Sequence, residues 1–133
     1  MPPSNAEIIR EAMDAWNRGD WETALRNTAP DVELDNSAVQ GEYRGIHRGP
    51  AEGRRMFERF AEPWESVRVE IVELVEAGER VFTRMHGRFR GRDGIEVETE
   101  TGMCWTVRDG VIVRVLMPNE VNEARRAAGL PLE

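Results

Sequence analysis

The stretch whose reading decides the fold is Met85-His86-Gly87-Arg88-Phe89-Arg90-Gly91-Arg92-Asp93-Gly94-Ile95-Glu96-Val97-Glu98-Thr99-Glu100-Thr101-Gly102-Met103. On both sides of Asp93-Gly94 its residues alternate with period two, the pattern of two half-buried strands joined by a turn. Charge sets the register. A three-residue loop, Arg92-Asp93-Gly94 with Gly94 in the left-handed region, pairs Arg90 with Glu96, Arg88 with Glu98 and His86 with Glu100. A two-residue Asp93-Gly94 loop slides the strands by one and puts these charges on opposite faces. In the three-residue register one face is an exposed ladder of opposite charges. The other carries Met85, Gly87, Phe89, Val97, Thr99, Thr101, Met103 and Trp105 and lines the core. Exposed ion pairs contribute only about 0.2–1 kcal/mol each, so the ladder reports topology and not function.

Outward from this hairpin the pattern continues. Asp109-Gly110 turns the chain into a strand from Val111 to Met117, and Asn119 is placed to cap a last helix that Gly129 and Pro131 terminate. On the other side, Val67, Val69 and Ile71 alternate with Arg68 and Glu70 from Trp64 onward, and Ala77-Gly78 turns that strand into Val81–Arg90. These four strands form a meander. Helical spacing precedes them. Ser4 and Glu7 form a capping box for a helix carrying Ile8, Ile9, Ala12, Met13 and Trp16, which stops at Gly19. Asp20 caps a second helix through Trp21, Ala24 and Leu25, closed by Pro30. Val32 and Leu34 mark a short strand, and Gln40 to Pro50 reads as a glycine-rich loop. Pro50 then opens a third helix with Met56, Phe57 and Phe60 on one face, ended by Pro63. Helices first and a meander after them predict an α+β domain with helices on one face of a sheet.

The chain has 133 residues, of which 40% are apolar and 32% charged, with a net charge of -7. That size predicts one domain spanning residues 1–133, with one sizeable core. All 18 cations are arginine, which removes Schiff-base chemistry and any P-loop lysine. The acidic balance, with no basic block apart from carboxylates, argues against nucleic acid. No apolar run approaches the roughly 20 residues that span a bilayer, and the polar N-terminus does not read as a secretory signal. A single cysteine, Cys104, excludes an internal disulfide framework and a cysteine-rich zinc module, and points to a cytoplasmic address.

Three further segments carry a resemblance. Ala12-Met13-Asp14-Ala15-Trp16-Asn17-Arg18-Gly19-Asp20, Ala29-Pro30-Asp31-Val32-Glu33-Leu34 and Trp105-Thr106-Val107-Arg108-Asp109-Gly110-Val111-Ile112-Val113-Arg114 are similar to the SnoaL-like branch of the nuclear transport factor 2-like superfamily. The likeness covers nearly the whole chain, through Glu123-Ala124 to Gly129-Leu130. It implies a strongly curved antiparallel sheet wrapped around a cone-shaped pocket, closed by the N-terminal helices. It also implies a homodimer formed through the sheet face. Relatives include steroid isomerases, polyketide cyclases, limonene epoxide hydrolases, dehydratases and non-catalytic binding or assembly modules, so fold does not decide activity.

The resemblance places the steroid isomerases' general base at Asn36 and their two oxyanion donors at Ala12 and Met103. An amide does not abstract a proton near neutral pH. The epoxide hydrolases' Arg–Asp pair and last-strand Asp fall on Met85, Gly87 and Met117, while their water-holding Asn matches Asn36. The cyclases' late acid also falls on Met117. Each subfamily thus loses its proton-transfer group here.

The side chains expected inside the cone are Trp16, Leu34, Met85, Met103, Trp105, Val115 and Met117, either as packed core or as walls of an apolar pocket. Asn36, Tyr43 and Asn119 are the polar candidates for orienting a ligand. Three acid–base candidates remain. Asp35 serves if a strand bulge re-aims it. His47 lies in the glycine-rich loop, as a solvated residue or an acid–base group. Glu73 lies where alternation breaks between Val72 and Leu74, as an inward bulge residue. His86 is a ladder residue. Two separated histidines with no fitting carboxylate cluster predict no metal site, and no cofactor is implied. Cys104 has opposite parity to Met103 and is expected at a sheet–sheet interface as an inert thiol. The leading expectation is a small cytoplasmic homodimer that binds a small apolar organic molecule. One alternative is an isomerase, polyketide cyclase, epoxide hydrolase or dehydratase using Asp35, His47 or Glu73. Another is a non-catalytic dimerisation module with a filled cone and an apolar patch on the outer sheet face near Phe82, Cys104 and Thr106.

Overall fold

The structure is a computed structural model that describes residues 3–38 and 44–133. In chain order the elements are α1 (Asn5–Asn17), α2 (Trp21–Ala24), β1 (Thr28–Asp35), β2 (Ile46–Arg48), α3 (Gly49–Ala61), β3 (Trp64–Ala77), β4 (Arg80–Gly91), β5 (Glu96–Arg108), β6 (Val111–Asn119) and α4 (Val121–Ala127). The six strands form one curved, unclosed sheet in the order β2-β1-β6-β5-β4-β3. Its pairings are antiparallel except β1 with β6, which is parallel.

The hairpin register is the one charge predicts: Arg90 stands opposite Glu96, Arg88 opposite Glu98 and His86 opposite Glu100. Its loop closes with the Gly91 N–H donating to the Ile95 carbonyl at 2.8 Å and the Gly94 N–H donating to the Gly91 carbonyl at 3.0 Å. Gly94 has φ +87°, a conformation that penalises any residue with a Cβ.

The helix caps also follow the sequence. The Ser4 hydroxyl accepts from the Glu7 N–H at 3.1 Å, and the Asp20 carboxylate accepts from the Thr23 N–H at 3.2 Å. Hydrogen bonds from Thr23, from its hydroxyl first and then its N–H, hold the Asp20 carboxyl below its ordinary value. At the end of α1, the Asn17 side-chain amide donates to the Val69 carbonyl and accepts from the Val69 N–H, both at 2.8 Å. Asn17 therefore pairs with the free edge of β3 as a strand would, and ties α1 across the concave face.

Four expectations are corrected. Pro30 does not close α2. It lies inside β1, in the segment where the β1–β6 register is irregular between Thr28 and Glu33, a place where no ladder donor is needed. Residues 46–48 are a short edge strand paired with β1 and not part of a loop. Asn119 ends β6 and does not cap α4, whose N-cap is Glu120. The helices do not share one face. Ala124 of α4 and its C-cap Ala128 cluster with Phe82 and Cys104 on the convex side, so the apolar surface expected to be open there lies beneath the chain's own helix. Gly102 makes this approach possible, because a Cβ there would stand 2.8 Å from the Ala124 Cβ and 3.0 Å from the Val121 Cα. Cys104 is consequently buried within the chain, and desolvation pushes its thiol above the ordinary value.

The main core lies on the concave side and joins Ile8, Ile9, Val32, Leu34, Met85, Trp105, Ile112 and Val115. Among the described residues no helix is long and apolar enough to cross a membrane.

Candidate functional site

The concave face does not fill completely. A cavity of about 300 Å³ opens between the sheet and α1 and α3. Along β5 the inward residues are Val97, Thr99, Thr101, Met103 and Trp105, as the two-residue repeat requires. Their exposure falls from 39% at Val97 to 8% at Met103 and 5% at Trp105, so the cavity deepens away from the hairpin tip. Opposite them β4 contributes Met85, Gly87 and Phe89. The Trp105 indole N–H donates to the Thr83 hydroxyl at 3.0 Å, which satisfies the one polar atom of a buried ring.

The helices complete the walls. Gly53 lets α3 lie against β1, since a Cβ there would stand 2.6 Å from the Leu34 Cδ1. That approach brings Met56, Phe57 and Phe60 to the cavity. An unbroken series of ring contacts runs from the sheet to the helices. Centroids are 5.3 Å apart for Trp64–Phe89, 5.6 Å for Phe60–Phe89, 5.7 Å for Trp16–Phe60 and 6.3 Å for Trp16–Phe57. Tilted and edge-on pairs at these separations are favourable.

Seven candidate ligand-contact residues come together around this cavity: Trp16, Leu34, Asn36, Met85, Met103, Trp105 and Met117. Tyr43 lies outside the described residues. Asn119 does not line the cavity. The β5–β6 register slips between Gly102 and Cys104, and Met117 and Pro118 both reach the cavity. Asn119 then pairs with Gly102, the residue whose missing side chain makes room for α4. Among the described residues its buried Oδ1 has no hydrogen-bond partner.

The three acid–base candidates do not meet at the cavity. No bulge re-aims Asp35: its neighbours Leu34 and Asn36 line the cavity, while Asp35 is buried on the other side of β1. There it accepts from the Ser37 N–H at 3.0 Å, the Ser37 hydroxyl at 2.5 Å and the Arg114 guanidinium at 3.1 Å. The bulge near Glu73 exists, between Ile71 and Glu73, but it turns Leu74 toward the core and leaves Glu73 outside. Glu73 pairs with Arg84 at 3.2 Å and Arg125 at 3.8 Å. His47 stands opposite Leu34 on edge strand β2, half-buried, and is not among the lining residues. No lining side chain among the described residues is ionisable. Nor do any three of their His, Cys, Asp and Glu side chains form a group able to hold a metal.

Charge gathers on the convex face. Arg88 pairs with Glu98 at 3.0 Å, while Arg90 reaches across to Glu65 at 3.7 Å. Arg84 joins Glu73, Glu100 at 2.7 Å, and Glu133. The hydrogen bonds it donates to Glu100 and then to Glu73 raise its guanidinium above the ordinary value.

Met13, Met56, Phe57, Phe60, Trp64, Thr99 and Thr101 also line the cavity, beyond the candidates singled out from sequence. Strand parity already turned Thr99 and Thr101 inward, and helical spacing put Met56, Phe57 and Phe60 on one face. No local pattern marked Trp64, at the first residue of β3.

Comparison with known proteins gives a consistent picture. Residues 9–115 match the profile of one family, described as the SnoaL-like domain. No curated protein matches the chain in sequence. Similar solved structures include TerC co-crystallised with polyporic acid, at 20% identity and TM-score 0.79, covering 94% of this chain and 98% of that one. A hypothetical protein with a ketosteroid isomerase-like fold from Catenulispora acidiphila DSM 44928, in complex with trimethylamine, has 16% identity and TM-score 0.76, covering 96% of each chain. A putative polyketide cyclase from Xanthomonas campestris pv. campestris has 24% identity and TM-score 0.64, covering 84% of this chain and 86% of that one. At these identities the structural likeness is one of fold.

Proposed function

We infer, from the premise that the chain belongs to the SnoaL-like domain family of the nuclear transport factor 2-like superfamily, that its cone binds a small, uncharged, largely apolar organic molecule. The observation that carries this reading is the apolar cavity of about 300 Å³, which lies at the small end of the range of ligand pockets. It has the liquid volume of about ten water molecules. A ligand burying on the order of 150 Å² of apolar surface there gains roughly 4 kcal/mol from desolvation. Five of the chain's six methionines line the space: Met13, Met56, Met85, Met103 and Met117. Their unbranched, polarisable side chains reshape around a guest at low cost. Two structural neighbours were crystallised with small organic molecules, polyporic acid and trimethylamine, which favours a small-molecule site in this fold.

Isomerase, cyclase, epoxide hydrolase or dehydratase chemistry through Asp35, His47 or Glu73 draws no support from the site. Asp35 and Glu73 hold guanidinium groups on the far side of the sheet, and His47 does not line the cavity. A cytoplasmic address and a homodimer belong to the same proposal. They are supported by the single cysteine and by the family resemblance.

Titration with naphthalene tests the binding reading. Trp16, Trp64 and Trp105 line the cavity, so a saturable one-site change in tryptophan emission is expected. A flat titration by both fluorescence and calorimetry overturns it.

A further inference from the structure

Besides Asn36 and Thr28, one polar strip interrupts the apolar walls. Thr99 and Thr101 stand two apart on β5 and both line the cavity, so their Cα atoms lie about 7 Å apart along the strand and their hydroxyls face the same space. Neither side chain forms a hydrogen bond with another described residue. The threonines nearby differ. Thr28 donates to the Leu25 carbonyl at 2.6 Å, and Thr83 accepts from Trp105 at 3.0 Å. Directly across from Thr99 is Gly87. A Cβ at Gly87 would stand 2.7 Å from the Thr99 Oγ1 and 2.7 Å from the Phe89 Cε2. The missing side chain therefore lets the Thr99 hydroxyl and the Phe89 ring close over Gly87, side by side in the cavity wall.

Three constraints meet at this strip. Phe60, Trp64 and Phe89 at the cavity's rim favour a flat ring as guest. Two hydroxyls withdrawn from water by a guest need new partners, or their desolvation counts against binding. The absence of ionisable lining residues among those described leaves an ionised guest with no counter-charge. We propose that Thr99 and Thr101 orient the ligand, and that it is a neutral, flat aromatic molecule whose hydroxyl or carbonyl oxygen faces β5. This rests on the cavity being a binding site, as proposed above.

Calorimetric titration of the full chain with naphthalene, 2-naphthol and 2-naphthoate tests it. The wild type binds 2-naphthol about ten-fold more tightly than naphthalene, the yield expected of two net hydrogen bonds, and binds 2-naphthoate at least about ten-fold more weakly than 2-naphthol. In Thr99→Val/Thr101→Val the preference for 2-naphthol over naphthalene falls to near one, chiefly because naphthalene, which no longer strands two hydroxyls, binds about five-fold or more tightly, while valine keeps the shape and strand preference of threonine. The single variants give intermediate ratios and carry the test if the double variant does not fold. Thr99→Ser and Thr101→Ser retain the preference. Saturable naphthalene binding with no preference for 2-naphthol overturns the orienting role and leaves the cavity reading intact. A preference that survives in the double valine variant does the same. Equal or tighter binding of 2-naphthoate overturns the neutral-ligand clause. Failure of both naphthalene and 2-naphthol to bind the wild type overturns both proposals.

Discussion

On the concave face of the β4–β5 hairpin, Met85 is 1% exposed and Gly87, Thr99 and Met103 border a cavity. On the convex face, one residue along the same strands, the side chains of Arg88 and Glu98 are 72% and 60% exposed and share an ion pair at 3.0 Å. The backbone and the hydrogen-bond ladder are common to both faces. What differs is the solvent each side chain meets. An inward residue trades water for packing, so its chemistry is fixed by its neighbours. An outward ion pair stays in high dielectric, where Coulomb attraction is weak and salt screens it. The convex face is itself uneven. Toward α4, Arg84 is only 20% exposed and serves three carboxylates, while near the hairpin tip the charges stand largely in water.

The sharpest break of this comparison is Met85→Asp. It places an unpaired carboxylate where no described lining residue offers a counter-charge. A loss of about 3–5 kcal/mol or failure to fold is expected, read by thermal or urea denaturation. Stability close to that of Met85→Leu would mean that water reaches the base of the cavity. A middle-sized effect belongs to Gly102→Ala, on the convex face beneath α4. Overpacking against Ala124 and the Val121 backbone costs about 1–3 kcal/mol. It also speeds modification of the Cys104 thiol by a disulfide reagent. An unchanged rate would show that α4 accommodates the methyl group without lifting. The smallest effect is Arg88→Ala, which changes stability by at most about 0.5 kcal/mol, less still in high salt, and leaves naphthalene binding unaltered. A larger loss would mean that the ladder is covered in solution, as a dimer through this face would cover it.

Much of this was legible in the chain itself. The run of Arg and Glu around Asp93-Gly94 contains the register, because only one loop length places those charges opposite each other on one face. Leu34, Met85, Met103, Trp105 and Met117 were assignable to the concave side from parity alone. The misses share a cause. Strand β2 is three residues long, too short for any periodicity. Asn119 lies beyond a slip in the β5–β6 register, which turned Pro118 inward and carried Asn119 to the other side. Glu73 sat at a bulge that alternation correctly located, but the break gives no sign of which neighbour turns inward. The partner of Phe82 and Cys104 was α4, more than 15 residues away from Cys104 in sequence, and local pattern does not report distance.

The sequence by itself determined the strands of the meander, the β4–β5 register and the two faces of that hairpin, because alternation and opposite charge are properties of residues a few positions apart. Only the tertiary structure decided what covers each face. It placed α4 over one apolar patch of the convex side and left a void of about 300 Å³ behind the methionines of the concave side. A stripe of apolar side chains has the same composition whether it closes into a core or stops short of it. Sheet curvature and the close seating of α3 at Gly53 set the remaining space, and both arise from contacts between elements far apart in the chain.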